Sequence, residues 1–327
     1  MAGTIPRRLM GRLARTPAFL RTTLALTKPR RFLVLCYHRV NDSGHPFFGG
    51  TPTALFRQHM QVLREGFNVF FLDELVERAA SGDVPANAVA ITFDDGYRDN
   101  YATAFPILRE LSLPATIFLV SDAVDGNRLI WHDRVFDAFH RTRAKGLAFD
   151  GAKLPLTNLD EKHKALAKVL AVLRSSTPST RDETIDSLLD SLGVTSPPRE
   201  GWDKLTWDHA REMNGHGIRF GAHTLDHPIL SRVSEDEARR QIRDSKASIE
   251  SELGETITAF AYPNGSPIDF NAGTKRILNE EGFRCAVTTM GGANDATSDP
   301  LALRRVGMWG DDPYLSALRL ARSRMGP

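Results

Sequence analysis

Eight short runs of mostly apolar residues recur along the chain, and stretches with helical periodicity separate most of them. The runs cover residues 32–36, 68–71, 88–93, 115–120, 218–222, 258–262, 284–288 and 305–308. Strands that are apolar at nearly every position are typical of a parallel sheet covered on both faces. Because these strands alternate with helices, the pattern predicts an α/β fold, a β/α barrel that is either closed or imperfectly closed.

Helix signals place extra structure in the middle of the chain. Residues 165–173 carry an amphipathic pattern, and residues 180–183 read as a capping box that predicts a second helix beginning there. Since one crossover helix would suffice between the flanking strands, we predict a helical insertion over about residues 134–200. It is either a lid or a wall of the substrate groove, or a packing element without a role in catalysis. A further capping box at Ser234, with Gly254 as the stop, predicts the helix between them.

Two polar motifs follow predicted strands directly. Residues 92–96 read TFDDG after the third strand, and residues 223–227 read HTLDH after the fifth. The carboxyl ends of parallel barrel strands meet at one face, so we expect these motifs to converge. One carboxylate and two imidazoles can bind a divalent metal with an open position for water, and the second carboxylate is placed to act as a general base. The motifs therefore predict metal-assisted hydrolysis.

Together with three other segments, these motifs resemble those of the polysaccharide deacetylases of the NodB-homology type, carbohydrate esterase family 4. The other segments are YHRV at residues 37–40, FAYPNG at 260–265 and LRRV at 303–306. The resemblance covers roughly residues 32–310 and is weakest in the predicted insertion. It implies a NodB-like distorted (β/α) barrel of about seven parallel strands.

The resemblance also implies a function and assigns roles to the motif residues. It implies removal of N-acetyl groups from amino sugars of a polysaccharide or oligosaccharide. Asp95, His223 and His227 would bind the metal, and Asp94 would be the general base that takes a proton from the metal-bound water. The donor set suits Zn²⁺, and it also accepts Co²⁺, Ni²⁺ or Fe²⁺. O-acetyl ester cleavage, hydrolysis of a small cyclic amide, and glycan binding without catalysis remain alternatives on the same fold.

The chain departs from the better-known family pattern at two positions. No histidine follows the strand at 284–288, and Ala261 stands where the third motif usually has an arginine. Arg305, in the last predicted strand, is our candidate for the positive charge that orients Asp94. His38 is our candidate general acid because it follows the first strand at the same face; the alternative is a structural histidine bonded to a loop carbonyl.

Four further residues near strand ends are predicted to contact the substrate. Tyr262, Pro263 and Asn264 end the sixth strand, and Trp131 comes after the fourth. An exposed Trp131 could stack on a sugar ring, although an aromatic residue of this kind is more often packed. The predicted partner of the site is an N-acetylated glycan.

Charge is unevenly distributed along the 327 residues. Residues 1–31 carry eight basic side chains and no acidic one, so the net charge of +2 leaves the remainder acidic, which argues against a nucleic-acid partner. We predict a basic N-terminal arm over residues 1–31, followed by a catalytic domain over 32–327. The arm either contacts an anionic membrane or is a solvated leader. Arginines interrupt its apolar runs, so neither a cleavable signal peptide nor a transmembrane helix is predicted, and we expect a cytoplasmic or peripherally membrane-associated protein.

Overall fold

A computed structural model of the protein describes residues 31–126, 129–194 and 201–308. Apart from Arg31, the predicted basic arm lies outside these residues, so its membrane contact stays a prediction. None of the helices in the described ranges combines the length and the apolar character that a membrane span requires.

Parallel strands form the centre of the described structure. The strands are β1 (Phe32–Tyr37), β2 (Asn68–Phe70), β3 (Ala88–Phe93), β4 (Ala115–Leu119), β5 (Gly146–Phe149), β6 (Ala152–Pro155), β7 (Ile218–Ala222), β8 (Ala259–Ala261), β9 (Cys285–Gly291) and β10 (Leu303–Gly307). Neighbours follow the order β1-β10-β9-β8-β7-β4-β3, and β1 pairs with β3 along its whole length. This last pairing closes a parallel barrel of seven strands, and the predicted fold is confirmed.

Strand β3 carries two partners on its other edge. Its first half pairs with β2 at Asn68↔Ala88, and its second half pairs with β4 at Thr92↔Thr116. Strand β2 therefore adds to the amino-terminal end of the barrel and leaves the carboxyl-terminal mouth open.

Helices connect the barrel strands and form much of the inserted segment. They are α1 (Thr53–Gly66), α2 (Leu72–Ala80), α3 (Phe105–Glu110), α4 (Trp131–Arg141), α5 (Leu159–Ser175), α6 (Pro178–Ser191), α7 (Trp207–Asn214), α8 (Glu235–Leu253) and α9 (Ala272–Glu280). Helix α8 has the predicted ends, since the Ser234 hydroxyl accepts from the N–H of Glu237 and Gly254 adopts φ 68°. The predicted start at Thr180 is wrong: α6 begins at Pro178, because proline is favoured in the first turn of a helix.

Successive residues of the barrel strands alternate between two apolar clusters. In β1, Leu33 and Leu35 pack with the surrounding helices, whereas Phe32 and Val34 join a smaller cluster with alternate residues of the other strands. Because side chains alternate along a strand, the smaller cluster fills the barrel interior. The same alternation turns residue 36 in β1, residue 38 after β1, residue 94 after β3 and residue 305 in β10 toward the interior.

The predicted insertion contains a hairpin that the hydrophobic pattern did not reveal. Strands β5 and β6 pair antiparallel between α4 and α5, and the two-residue turn Asp150-Gly151 joins them with φ angles of 49° and 71°. Positive φ at both turn positions is what a tight hairpin needs. The hairpin and helices α4, α5 and α6 share an apolar cluster separate from the barrel core.

Candidate active site

Polar residues from four strand ends meet at one mouth of the barrel. His38 follows β1, Asp94 follows β3, His223 follows β7, and Asn264 lies shortly after β8. All four line a cavity of about 250 Å³. These residues were predicted to converge because each follows a barrel strand, and the fold brings them together.

Asp94 and Arg305 form a buried two-pronged ion pair. Arg305 Nη1 donates to Asp94 Oδ1 and Nη2 donates to Oδ2, both at 2.7 Å. The Nε of Arg305 also donates to the carbonyl of Thr288 at 2.7 Å, which fixes the plane of the guanidinium. Burial alone would raise the pKa of Asp94, but the charge and hydrogen bonds of Arg305 outweigh it, and the pKa lies below its usual value. The carboxylate is therefore held ionised and oriented.

Asp95, His223 and His227 converge beside this pair, and their ligand atoms lie within 4.8 Å of one another. Asp95 Oδ1 is 3.5 Å from Nε2 of His223 and 3.6 Å from Nε2 of His227. This oxygen is buried and has no partner in hydrogen-bonding geometry among the described residues. A divalent cation between the three atoms would provide that partner, so the donor set fits a metal.

The ring of His223 is oriented by the barrel backbone. Its Nδ1 lies 2.7 Å from the carbonyl oxygen of Ala261 in β8. Because a carbonyl can only accept, Nδ1 carries a proton, and Nε2 is the nitrogen that faces Asp95. The hydrogen bond thus selects the tautomer that a metal ligand requires.

Unusual backbone conformations aim the other ligands. Asp95, Thr224 and His227 have φ angles of 71°, 69° and 63°, in the left-handed region that costs a residue other than glycine about 1–3 kcal/mol. Two contacts hold the loop: the Thr224 hydroxyl accepts from the N–H of His227 at 3.0 Å, and the indole N–H of Trp131 donates to the carbonyl of His227 at 3.2 Å. The strained backbone therefore directs the side chains of Asp95 and His227 toward the same point.

The three proposed metal ligands differ in the direction in which their pKa values are shifted. Burial alone would raise the pKa of Asp95, but the facing ring of His223 outweighs it, and the pKa lies well below its usual value. Burial and the charge of His223 hold the pKa of His227 well below its usual value. Burial also lowers the pKa of His223, but the facing Asp95 outweighs it and leaves that pKa raised. An ionised Asp95 and a neutral His227 are the forms that bind cations.

His38 lies at the rim of the cavity. Its Nε2 is 3.8 Å from Asp94 Oδ2, and its side chain is 23% exposed. The edge of its ring meets Phe48, with ring centroids 6.0 Å apart. The ring is thus close to Asp94 while remaining open to solvent, and its role as a general acid stays a prediction.

The four predicted substrate-contacting residues differ in their access to the cavity. Tyr262, Asn264 and Trp131 line it, whereas Pro263 is buried in the turn behind them. Trp131 is only 4% exposed and Tyr262 only 1%. The Tyr262 hydroxyl donates to the carbonyl of Leu301 at 2.8 Å. Trp131 therefore takes the packed alternative, in which its indole supports the metal-ligand loop.

A buried polar network lies behind the proposed ligands, and two of its members, Tyr97 and Lys204, were not predicted from the sequence. Nε2 of His132 lies 3.4 Å from both the Tyr97 hydroxyl and Asp133 Oδ1, and 3.8 Å from Asp95 Oδ2. Tyr97 donates to Asp133 Oδ1 at 2.5 Å, and Lys204 pairs with Oδ2 at 2.9 Å. His132 and Asp133 directly follow the Trp131 that the sequence singled out, but Lys204 belongs to no motif.

Part of the cavity wall comes from outside the barrel strands. Leu170 and Arg174 of α5 and Phe136 of α4 line it, together with Phe48 from the loop after β1. Phe48 stacks on Phe136 with centroids 5.0 Å apart and rings 9° from parallel. The inserted segment therefore lines part of this cavity, and its role toward a substrate stays a prediction.

Comparison with known proteins gives a consistent result. The family model described as polysaccharide deacetylase matches residues 81–286. YxkH of Bacillus subtilis strain 168 is 24% identical over 281 residues, which are 85% of this chain and 72% of that protein. The poly-beta-1,6-N-acetyl-D-glucosamine N-deacetylase of Escherichia coli K12 is 33% identical over 97 residues, 29% of this chain and 14% of that protein.

A solved structure supports the fold. The deacetylase PplD of Streptococcus pyogenes, determined in complex with acetate, superposes with a TM-score of 0.61 at 22% sequence identity. The superposition covers 92% of this chain and 100% of that chain. At this level of identity, the likeness concerns the fold.

Proposed function

The chain belongs to the polysaccharide deacetylase family, and we propose that it removes N-acetyl groups from the amino sugars of a polysaccharide or oligosaccharide by metal-dependent hydrolysis. The observation that carries the proposal is the pairing of two arrangements in one cavity. An ionised carboxylate, Asp94, lies beside a buried donor set whose Asp95 oxygen has no partner among the described residues. Substrate preference toward N-acetylglucosamine polymers is supported by the name of the Escherichia coli relative.

We assign Asp95, His223 and His227 as the residues that would hold the metal. Two imidazoles and a carboxylate suit Zn²⁺, and Co²⁺, Ni²⁺ or Fe²⁺ also fit these donors. A metal bound there would supply Lewis acidity for the acetamide carbonyl and for a water molecule.

Asp94 is the proposed general base. Its two oxygens accept from Arg305, so the carboxylate keeps a fixed orientation and stays ionised near neutral pH. The Arg305 side chain is therefore a positioning group, acting through Asp94 from inside the barrel. A base in this position takes the proton of the attacking water as the water oxygen approaches the carbonyl carbon.

His38 is the proposed general acid for the leaving amine. It is partly open to solvent on the side of Asp94 and so can regain a proton between turnovers. Tyr262 and Asn264, with Trp131 behind the ligand loop, are proposed to shape the pocket for the acetamide. We also retain the proposed division into a basic arm over residues 1–31 and a catalytic domain over 32–327.

The test is acetate release from N-acetylglucosamine oligomers by protein stripped with a chelator and then reloaded with Zn²⁺. Release should depend on the metal and should fall by about 10³-fold or more in Asp94→Asn, given the usual contribution of a general base. Asp208→Asn is the control, because this carboxylate is exposed on α7 and lies away from the cavity. Metal content measured by mass spectrometry should fall in Asp95→Asn but not in Asp94→Asn. If the metal-loaded protein releases no acetate from any N-acetylated glycan, the N-deacetylase proposal fails.

A further inference from the structure

A second cavity adjoins the active-site cavity at the barrel mouth. Its volume is about 480 Å³, and it shares Arg174, Asn264 and Thr289 with the active-site cavity. Arg232 and Asp269 line it further out. A sugar chain seated with one residue at Asp94 would therefore place its neighbouring residue in this second cavity.

Two arginines from different segments of the chain line this cavity. Arg174 lies in the last turn of α5, and Arg232 ends the short turn Leu230–Arg232 that follows the metal-ligand loop. Both side chains are exposed, and neither makes an ion pair with any residue in the described part of the chain. Most other arginines on the surface do pair, as Arg240 does with Glu237. Two guanidinium groups without protein counter-charges thus share one concave surface.

Asn264 adds a third donor between the two cavities. Its side-chain nitrogen is buried and has no acceptor in the described structure. The backbone is fixed at φ 60°, and the Thr289 hydroxyl donates to the Asn264 carbonyl at 2.6 Å. A buried amide without a partner costs free energy unless a ligand supplies one, so this group points to a ligand oxygen.

The one carboxylate in the cavity is already occupied. Asp269 is only 7% exposed, and its Oδ2 accepts from both the N–H and the hydroxyl of Ser266, at 2.8 Å and 2.5 Å. The Asp269 carboxylate is therefore bound to the loop at Ser266. The groups left to bind a ligand in the cavity are the donors of Arg174, Arg232 and Asn264.

We propose that this second cavity is a subsite for an oxyanion on the sugar next to the N-acetylated one. The guanidinium fork matches the two oxygens of a carboxylate or the oxygens of a phosphate, and Asn264 can donate to the same group or to a neighbouring hydroxyl. The inference rests on the proposed deacetylation and narrows its substrate to an acidic N-acetylated glycan.

The test compares matched substrates that differ only in charge. One is an oligosaccharide of alternating N-acetylglucosamine and glucuronic acid, and the other is the same oligosaccharide with its carboxylates reduced to hydroxymethyl groups. A third, with N-acetylglucosamine units joined by phosphodiesters, separates phosphate from carboxylate as the preferred oxyanion. Binding to metal-free protein is measured by calorimetry, and KM and kcat are measured by acetate release from the metal-loaded protein.

We expect the acidic oligosaccharides to bind about tenfold more tightly than the reduced one, as charge-assisted hydrogen bonds usually allow. Arg232→Gln should remove most of that preference, through KM and not kcat, and leave the reduced substrate unaffected. Arg174 also lines the active-site cavity, so Arg174→Gln should raise KM for both substrates, and more for the acidic one. Arg143→Gln is the control, since this exposed arginine also belongs to the insertion but lines neither cavity. Added salt should weaken the preference in the wild type.

Equal binding of acidic and reduced oligosaccharides would overturn the subsite, as would equal losses on both substrates in the arginine variants. A neutral glycan stacking on the guanidinium planes would give that second result. Because calorimetry needs no catalysis, absence of acetate release from every substrate would count against the deacetylase proposal alone.

Discussion

Replacing Arg305 by methionine should destabilise the protein strongly. Arg305 and Asp94 are each 2% exposed and face each other through two hydrogen bonds of 2.7 Å. Methionine fills similar space but leaves the Asp94 carboxylate buried without a counter-charge. With Arg305 gone, burial raises the pKa of Asp94, opposed by the weaker effects of His223 and His38.

The size of the loss follows from this geometry. Removing one partner of a buried ion pair costs about 3–5 kcal/mol, because the remaining charge keeps its desolvation penalty. The carbonyl of Thr288 also loses its donor, which places Arg305→Met toward the upper end. With about 2.1 cal/mol/K of unfolding entropy per residue, 1 kcal/mol corresponds to roughly 1.5 °C for a chain of this size, so the melting temperature should fall by about 4–7 °C.

Thermal and urea unfolding of five proteins would measure this: the wild type, Arg305→Met, Arg304→Met, Asp94→Asn, and the double variant of Arg305→Met with Asp94→Asn. Arg304→Met is the matched control, since Arg304 is adjacent in β10 but exposed, and it should change stability by less than about 0.5 kcal/mol. The double variant with Asp94→Asn should recover much of the loss, because the uncompensated charge is then absent. Equal stability of Arg305→Met and Arg304→Met, or strictly additive effects in the double variant, would refute the argument from a buried pair.

Three other measurements follow from the structure. Lys204→Met should lower the free energy of unfolding by about 3–5 kcal/mol, because Asp133 is fully buried against this lysine, whereas exposed Lys168→Met should change little in the same urea titration. Burial lowers the pKa of His59 from 6.5 to about 4, so its contribution to stability is present above pH 6.5 and is lost as pH falls through about 4. His59→Gln should therefore flatten the decline of the urea midpoint between pH 7 and pH 5, and an unchanged slope would exclude His59 as its source. Excess Zn²⁺ at about 100 times its Kd should stabilise the wild type by about 2.7 kcal/mol but leave Asp95→Asn nearly unchanged in a thermal melt.

The barrel could be predicted from the sequence because its strands are buried on both faces. Strands β1 and β3 are buried at every position, and such unbroken apolar runs stand out from polar loops. The hairpin of the insertion offered no such run, since β5 and β6 are mostly exposed. The sequence feature that indicates this hairpin is the Asp150-Gly151 pair. Such a pair predicts a hairpin turn only when the segments on both sides are recognised as strands.

The candidate site could be predicted as a set of residues but not as a geometry. Placement after strands was enough to predict that Asp94, Asp95, His223 and His227 would meet at one face. The direction of Asp95 depends on a positive φ, which few residues other than glycine adopt and which no local pattern announces. The approach of His132 depends on how α4 docks on the barrel rim, and that is set by contacts between segments far apart in sequence.

The barrel and the insertion contribute different residues to the cavity, so substitutions in the two parts should have different effects. The proposed metal ligands and base lie on or just after barrel strands, whereas Leu170 and Arg174 reach the cavity from α5. Helix α5 packs in an apolar cluster separate from the barrel core, so its side chains can change without disturbing the strand ends. Substitutions on the cavity face of α5 should therefore act on KM and on the choice of glycan. Substitutions at the strand ends should act on kcat and metal content, because those residues face the reacting atoms.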